Sequence, residues 1–303
     1  MNDVSVESPP GVPRIGAELL VDAHANLGEG PVWDEREGCL WWVDILGEAI
    51  HRTDPASGRD EIVPVGQLIG AVVPRASGGL VAAVQDGFVA VDPANGRVER
   101  LAPVEANDPT TRMNDGKVDP AGRFWAGTMG VDHRPDAGTL YRLDPDLRVT
   151  AMVTGTAISN GLDWSPDGRT MYYIDTPTRR VDRFDFDPAT GAISGRAQAV
   201  AIREGAGSPD GMTVDADGFL WVALWGGWAV ERYSPDGRLE RRVEVPAQQA
   251  SSCAFGGPDL DLLFITTAQE GFPPGGLADQ PHAGGLFVCR PGVRGRPPFR
   301  FAG

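Results

Sequence analysis

The sequence predicts an all-β chain folded as one six-bladed β-propeller, with four antiparallel strands in each blade. Three observations predict it. A strand-and-turn pattern recurs six times, no helix-period segment or linker separates the copies, and the composition is rich in turn formers. The chain has 303 residues with 40 Gly and 26 Pro, more of each than an average soluble domain carries. With β-branched and aromatic residues between them, these read as many short strands joined by tight turns. Propellers of this length are commonly one domain, so residues 15–303 are expected to form a single unit.

The fullest copy runs from Gly161 to Gly191. It reads G-L-D-W, the turn S-P-D-G, T-M-Y-Y-I-D, a short break, R-V-D-R-F-D and the turn D-P-A-T-G. The runs are short and partly alternating, and every break carries turn chemistry. Ala192 to Ala201 offers a fourth strand. Four antiparallel strands in about 40 to 50 residues make one propeller blade. The pattern restarts at Gly30, Ala71, Gly116 and Gly211, and in looser form at Ser252. A propeller must also close its ring, because open first and last blades would leave unpaired edges. The segment Ala17 to Asp22, A-E-L-L-V-D, precedes the first copy and has no partner within it. It is expected to complete the last blade. Met1 to Arg14 carries acids, three prolines and no apolar core, and is expected to be a disordered arm rather than a signal peptide.

Charge and cysteine usage narrow the function classes. The net charge is −15 and no basic run occurs, which argues against nucleic acid or an anionic membrane as partner. The longest apolar run, Cys39 to Val43, is far too short to span a bilayer. Cys39, Cys253 and Cys289 are odd in number, far apart and without a CxxC pair. A reducing compartment, the cytoplasm, is therefore expected. No obligatory protein partner is inferred; the expected partner is a small molecule.

The six copies can be aligned on the turn after their first strand. Five positions before that turn stand Glu29, Gly70, Asn114, Asn160, Asp210 and Ser251. Innermost strands run side by side along a propeller axis, so these positions are expected to ring one mouth of the central channel. Taken singly, Asp, Asn and Ser beside Gly are ordinary turn residues. Glu29 is not a turn former, however, and the six share one register. Two carboxylates with carboxamides around a channel suit a hard divalent cation. His24, His51, His133 and His282 are scattered and lie outside the ring, which disfavours a His-rich zinc site. No GxSxG elbow, P-loop or dinucleotide fingerprint is present. Arg112, two residues before Asn114, would place fixed donors at the mouth. Trp225 and Trp228, in L-W-G-G-W, fit either the floor of a sugar pocket or blade packing.

At these residues the chain resembles the senescence-marker, gluconolactonase and luciferin-regenerating family, the regucalcin-like proteins. The matching segments are G-E-G-P-V-W-D at Gly28, R-M-N-D-G-K-V-D-P-A-G-R at Arg112, A-G-T-M at Ala126, S-N-G-L-D-W-S at Ser159, P-D-G-M at Pro209, A-F-G-G at Ala254 and A-G-G-L-F at Ala283. A-L-W-G-G at Ala223 looks closer to bacterial sugar-acid lactonases. The resemblance implies a six-bladed propeller that hydrolyses a sugar lactone with one divalent ion (Ca, Zn, Mn, Mg or Fe). It implies Glu29, Asn160 and Asp210 as metal ligands, and Arg112 and Asn114 as substrate contacts. An acidic residue from the loop after A-G-T-M reaches the substrate in animal members. Here that loop, Gly130 to Gly138, is short, and Asp132 is the nearest candidate. Asp210 is the expected general base, beside an ion that polarises the lactone carbonyl. The alternative is a calcium- or sugar-binding protein without turnover; a protein-docking platform would not need the three ligands in register.

Overall fold

The computed structural model describes residues 11–272 and 275–303. These form six sheets arranged as the six blades of a propeller. The innermost strands are Gly28–Asp34, Ile69–Pro74, Thr111–Val118, Ser159–Trp164, Ser208–Val214 and Ala250–Gly256. Each is followed outward by antiparallel neighbours, as the repeats predict. The one helical element among the described residues is a single 3-10 turn, Thr176–Thr178. No helix is long and apolar enough to cross a membrane.

The apolar core is divided. Six clusters of buried residues form, one at each junction between neighbouring blades. Trp125, Leu162 and Trp164, for example, join the third blade to the fourth. A middle strand is therefore covered on both faces: Leu40 and Trp42 on one are as buried as Trp41 and Val43 on the other. This explains why the sequence alternates only in part: alternation marks a sheet with one wet face. It also leaves the axis free for polar side chains.

The turn after an innermost strand is built on a buried aspartate in the third and fifth blades. Asp119 accepts the Arg123 backbone N–H at 3.0 Å and the Trp125 indole N–H at 2.9 Å. Asp215 repeats this with the Phe219 backbone and the Trp221 indole, both at 2.9 Å. Each carboxylate is also paired with an arginine, Arg123 or Arg232, as a buried charge requires. In the first blade Asp34 is taken instead by Arg300 of the C-terminal tail.

The closing strand forms where expected. Glu18–Val21 pairs antiparallel with Leu286–Cys289, Leu19 opposite Phe287, and completes the sixth blade. A second latch was not foreseen. Arg14–Gly16 adds in parallel to the outer strand Leu239–Glu244 of the fifth blade. Arg14, the last residue of the expected arm, thus stands in a strand; residues 1–10 of that arm lie outside the described residues. The tail adds no full strand to a blade, but a parallel bridge sets Phe301 beside Arg75 at the end of the second blade's innermost strand. It straps the far mouth: Phe301 donates to the Pro74 carbonyl at 3.0 Å and Ala302 to the Gly122 carbonyl at 2.9 Å.

Candidate metal centre and substrate mouth

Every innermost strand is irregular at the ring position. The pairing register shifts between Glu29 and Val32, Ile69 and Ala71, Met113 and Gly116, Ser159 and Leu162, Pro209 and Met212, and Ala250 and Ser252. A bulge breaks the strict alternation of side chains and re-aims one of them. Six irregularities in one register set the six ring positions at one level; five of these carry a side chain, the sixth being Gly70. The glycines beside them serve two ends. Gly30 has a left-handed φ of 53°, which a sharp turn demands. Gly161 has no such φ; a Cβ there would meet the Asp210 carbonyl oxygen at 2.6 Å. It is glycine so that the fourth and fifth innermost strands can lie close together.

Glu29, Asn160 and Asp210 are buried, with 4%, 3% and 6% of their surface exposed. Asn160 Nδ2 donates to Thr176 Oγ1 at 3.1 Å, and that hydroxyl donates to the Pro209 carbonyl at 2.8 Å. Since the hydroxyl proton is spent on Pro209, Thr176 can only accept from Asn160, which fixes the amide orientation. Asn160 Oδ1 is left buried with no hydrogen-bond partner. Glu29 Oε2 accepts the Gly30 N–H at 2.9 Å. Its carboxyl is held well above the usual range, by burial first and then by the charges of Asp210 and Asp115. Asp210 is raised likewise by burial and Asp115, against relief from Asn160 and Arg112.

The site therefore gathers negative charge and an unsatisfied acceptor in a dry place, which is costly without compensation. A divalent cation fits this donor set: two carboxylates and one carboxamide oxygen, all hard oxygen ligands. Among the described residues no three His, Cys, Asp or Glu side chains cluster as a metal site by themselves; the third oxygen of this set belongs to the amide of Asn160.

Arg112 and Asn114 are bound to each other instead. Arg112 Nη1 donates to Asn114 Oδ1 at 2.7 Å and to the Met113 carbonyl at 3.0 Å. Asn114 Nδ2 donates to the Ser159 carbonyl at 2.9 Å. Both ends of the Asn114 amide are thus engaged within the protein, unlike Asn160. Arg112 is 6% exposed, and among the described residues no hydrogen bond engages its Nε or Nη2. Those N–H groups remain as donors.

Asp132 is not gathered into this ring. It lies exposed on the loop after Phe124–Gly130, with Oδ1 at 2.9 Å from Arg134 Nη1. Trp225 is half-buried and packs against the cluster that contains Leu27 and Ala268. His51 is a core residue, stacked on Trp42 and 2.6 Å from Asp60. Two acids that the sequence reading passed over do act here. Asp115 is buried one residue past the ring, and Glu270 acts on both Arg112 and Asp210. The signal for Glu270 was the long connection between L-L-F-I-T-T and G-G-L-F, where other copies make short turns.

Below the ring the channel narrows to a cavity of about 60 Å³, bordered by Asp115, Lys117, Asp163 and, from the tail, Arg296. Ligand pockets for small molecules usually exceed about 300 Å³. The cavity beneath the ring thus holds water-sized space only.

Fold and site together define a six-bladed propeller with an acidic, oxygen-lined mouth. The chain belongs to the SMP-30/Gluconolactonase/LRE-like family, whose model matches residues 27–269. It is 41% identical to regucalcin of Xenopus laevis over 296 residues, covering 95% of this chain and 99% of that protein. It is 38% identical to a Bacillus subtilis (strain 168) protein provisionally named a sugar lactone lactonase, with the same coverage of 95% and 99%. Among solved structures, regucalcin of Agrobacterium tumefaciens, described as a calcium-binding protein, superposes with a TM-score of 0.91 at 33% identity, covering 96% of this chain and 98% of that one.

Proposed function

We propose that this protein hydrolyses a polyhydroxylated sugar lactone to its acid, with one divalent cation held by Glu29, Asn160 and Asp210. The observation that carries the reading is Asn160 Oδ1, buried without a partner beside two carboxylates whose protons are held abnormally tightly. When bound, the ion supplies Lewis-acid polarisation of the lactone carbonyl and lowers the proton affinity of nearby water. The chain's own residues do the rest. The free N–H groups of Arg112 orient the sugar hydroxyls, and Asn114 holds the guanidinium in place. A carboxylate oxygen of Asp210 takes the proton of the attacking water and returns it to the ring oxygen as the carbon–oxygen bond breaks. The all-oxygen donor set favours Ca, Mg or Mn over softer ions. The free thiols Cys39, Cys253 and Cys289 suit a reducing cytoplasm.

The test is hydrolysis of a lactone panel by protein stripped with chelator and reloaded with single metals, corrected for spontaneous opening. Activity that vanishes on stripping and returns on reloading is expected. Unchanged activity after complete stripping overturns the metal assignment. Calcium binding with no turnover on any lactone favours the second reading, a non-catalytic calcium- or sugar-binding protein, to which the regucalcin names of its relatives also point.

A further inference from the structure

The sixth blade contributes a further segment to the mouth, outside the ring positions. Ala268 bridges to Leu27, and the Gln269 and Glu270 backbone N–H groups both donate to the Asn26 carbonyl, at 3.1 and 3.0 Å. This stitches the start of the 268–285 connection to the residues that lead directly into Gly28 and Glu29. On its other side Gly271 lies against Trp225 and Gln249: a Cβ there would sit 3.6 Å from the indole and 3.3 Å from the amide nitrogen. Glu270 is thereby held at the mouth between the fifth and first blades, half-buried. Among the described residues its carboxylate makes no hydrogen bond and no ion pair. In a six-membered ring the sixth blade faces the third, which carries Arg112. Glu270 is the foremost negative charge acting on that guanidinium, ahead of Glu29 and Asp210.

From this placement we infer that Glu270 is a specificity-determining residue, an acceptor for substrate hydroxyl groups that faces the donors of Arg112 across the mouth. A carboxylate with free lone pairs at a polar rim accepts hydroxyl protons strongly. With a donor on one side and an acceptor on the other, a polyol ring is gripped through its hydroxyls in one orientation, and a lactone without hydroxyls gains nothing. The inference rests on the lactonase reading and names the feature of the substrate that is read.

The experiment compares wild type with Glu270→Gln and Glu270→Ala on D-glucono-1,5-lactone and on unsubstituted δ-valerolactone. KM for the hydroxylated lactone should rise about ten- to hundredfold, the range for one hydrogen bond to a charged group. Its kcat should hold within about threefold, KM for δ-valerolactone should not move, and bound metal should match wild type. Calorimetric binding of 1,5-anhydroglucitol, a neutral non-hydrolysable ring with sugar hydroxyls, should weaken in both variants. Equal effects on the two lactones, lost metal, or unchanged anhydroglucitol binding each overturn the assignment. If wild type turns over no lactone, the hydrolase reading fails, and the anhydroglucitol measurement still decides on Glu270.

Discussion

Two asparagines at equivalent positions in neighbouring blades have opposite fates. Asn114 is satisfied at both ends, whereas Asn160 keeps one oxygen in reserve. Their replacements should therefore separate. Metal analysis should find Glu29→Gln, Asn160→Ala and Asp210→Asn depleted, and Asn114→Ala loaded but with kcat/KM lowered about ten- to hundredfold. A stripped Asn114→Ala would make Asn114 a ligand. A second expectation concerns Asp115, whose carboxyl is pushed up to about 6, chiefly by burial and with Lys117 opposing. A raised carboxylate binds its proton more tightly in the folded state, so its contribution is present at low pH and is lost as pH rises from about 4 to about 6. Asp115→Asn keeps the acceptor for the Gly116 N–H and removes the ionisation. In metal-free protein it should be the more stable form at pH 7, by at most about 3 kcal/mol, and equal to wild type near pH 4. Denaturant titrations at the two pH values read this directly; a variant less stable at pH 7 would contradict it. At this scale the sequence shows which residues stand in register, because register is a property of the repeat. It does not show Glu270 or Asp115. Glu270 comes from an irregular connection that has no counterpart in the other copies, and Asp115 matters only because burial surrounds it with like charge.

Strands are where the reading from sequence succeeds most fully, and the reason is physical. Turn chemistry such as S-P-D-G marks both ends of a short apolar run, and the closing strand A-E-L-L-V-D betrays itself by lacking a partner nearby. Arg14–Gly16 carries no comparable signal: three residues with one apolar side chain cannot announce a strand, and its partner lies some 230 positions away along the chain. The two N-terminal strands should differ in weight. Removing residues 1–16 exposes one blade edge, while removing 1–22 also opens the ring. Thermal unfolding of the first truncation should remain a single cooperative transition with a modest fall in Tm. The second should lose cooperativity or fail to accumulate as folded protein. Similar melting of both would show that the sixth blade closes without Glu18–Val21.

As a whole the molecule has no central core. Its apolar surface is buried in six wedges, each between two neighbouring blades. Stability is therefore shared around a circle, and no wedge can be lost without the circle opening. The axis, which carries no packing duty, is free to hold ionisable groups that a conventional core would exclude. The same division hides the wedges from a sequence reading: which faces meet depends on the closed circle, and a repeat shows only that its strands are apolar.

The position of the closing strand has a consequence for the cation. Glu29 belongs to the first blade and Asp210 to the fifth, and the sixth blade, zipped from the two ends of the chain, is the segment of arc between them. In the proposed metal-bound form the distance across that arc would set the bite of the two carboxylates, and the ion would gauge the circumference of the ring. Phe287 is fully buried among apolar residues between the fifth and sixth blades. Phe287→Ala should cost about 3–5 kcal/mol of stability, and it should also weaken metal binding by slackening the arc, an effect that calorimetric titration of the folded variant can measure. A metal affinity indifferent to that cavity would mean the ligand geometry is held locally by the bulges rather than by the tension of a closed hoop.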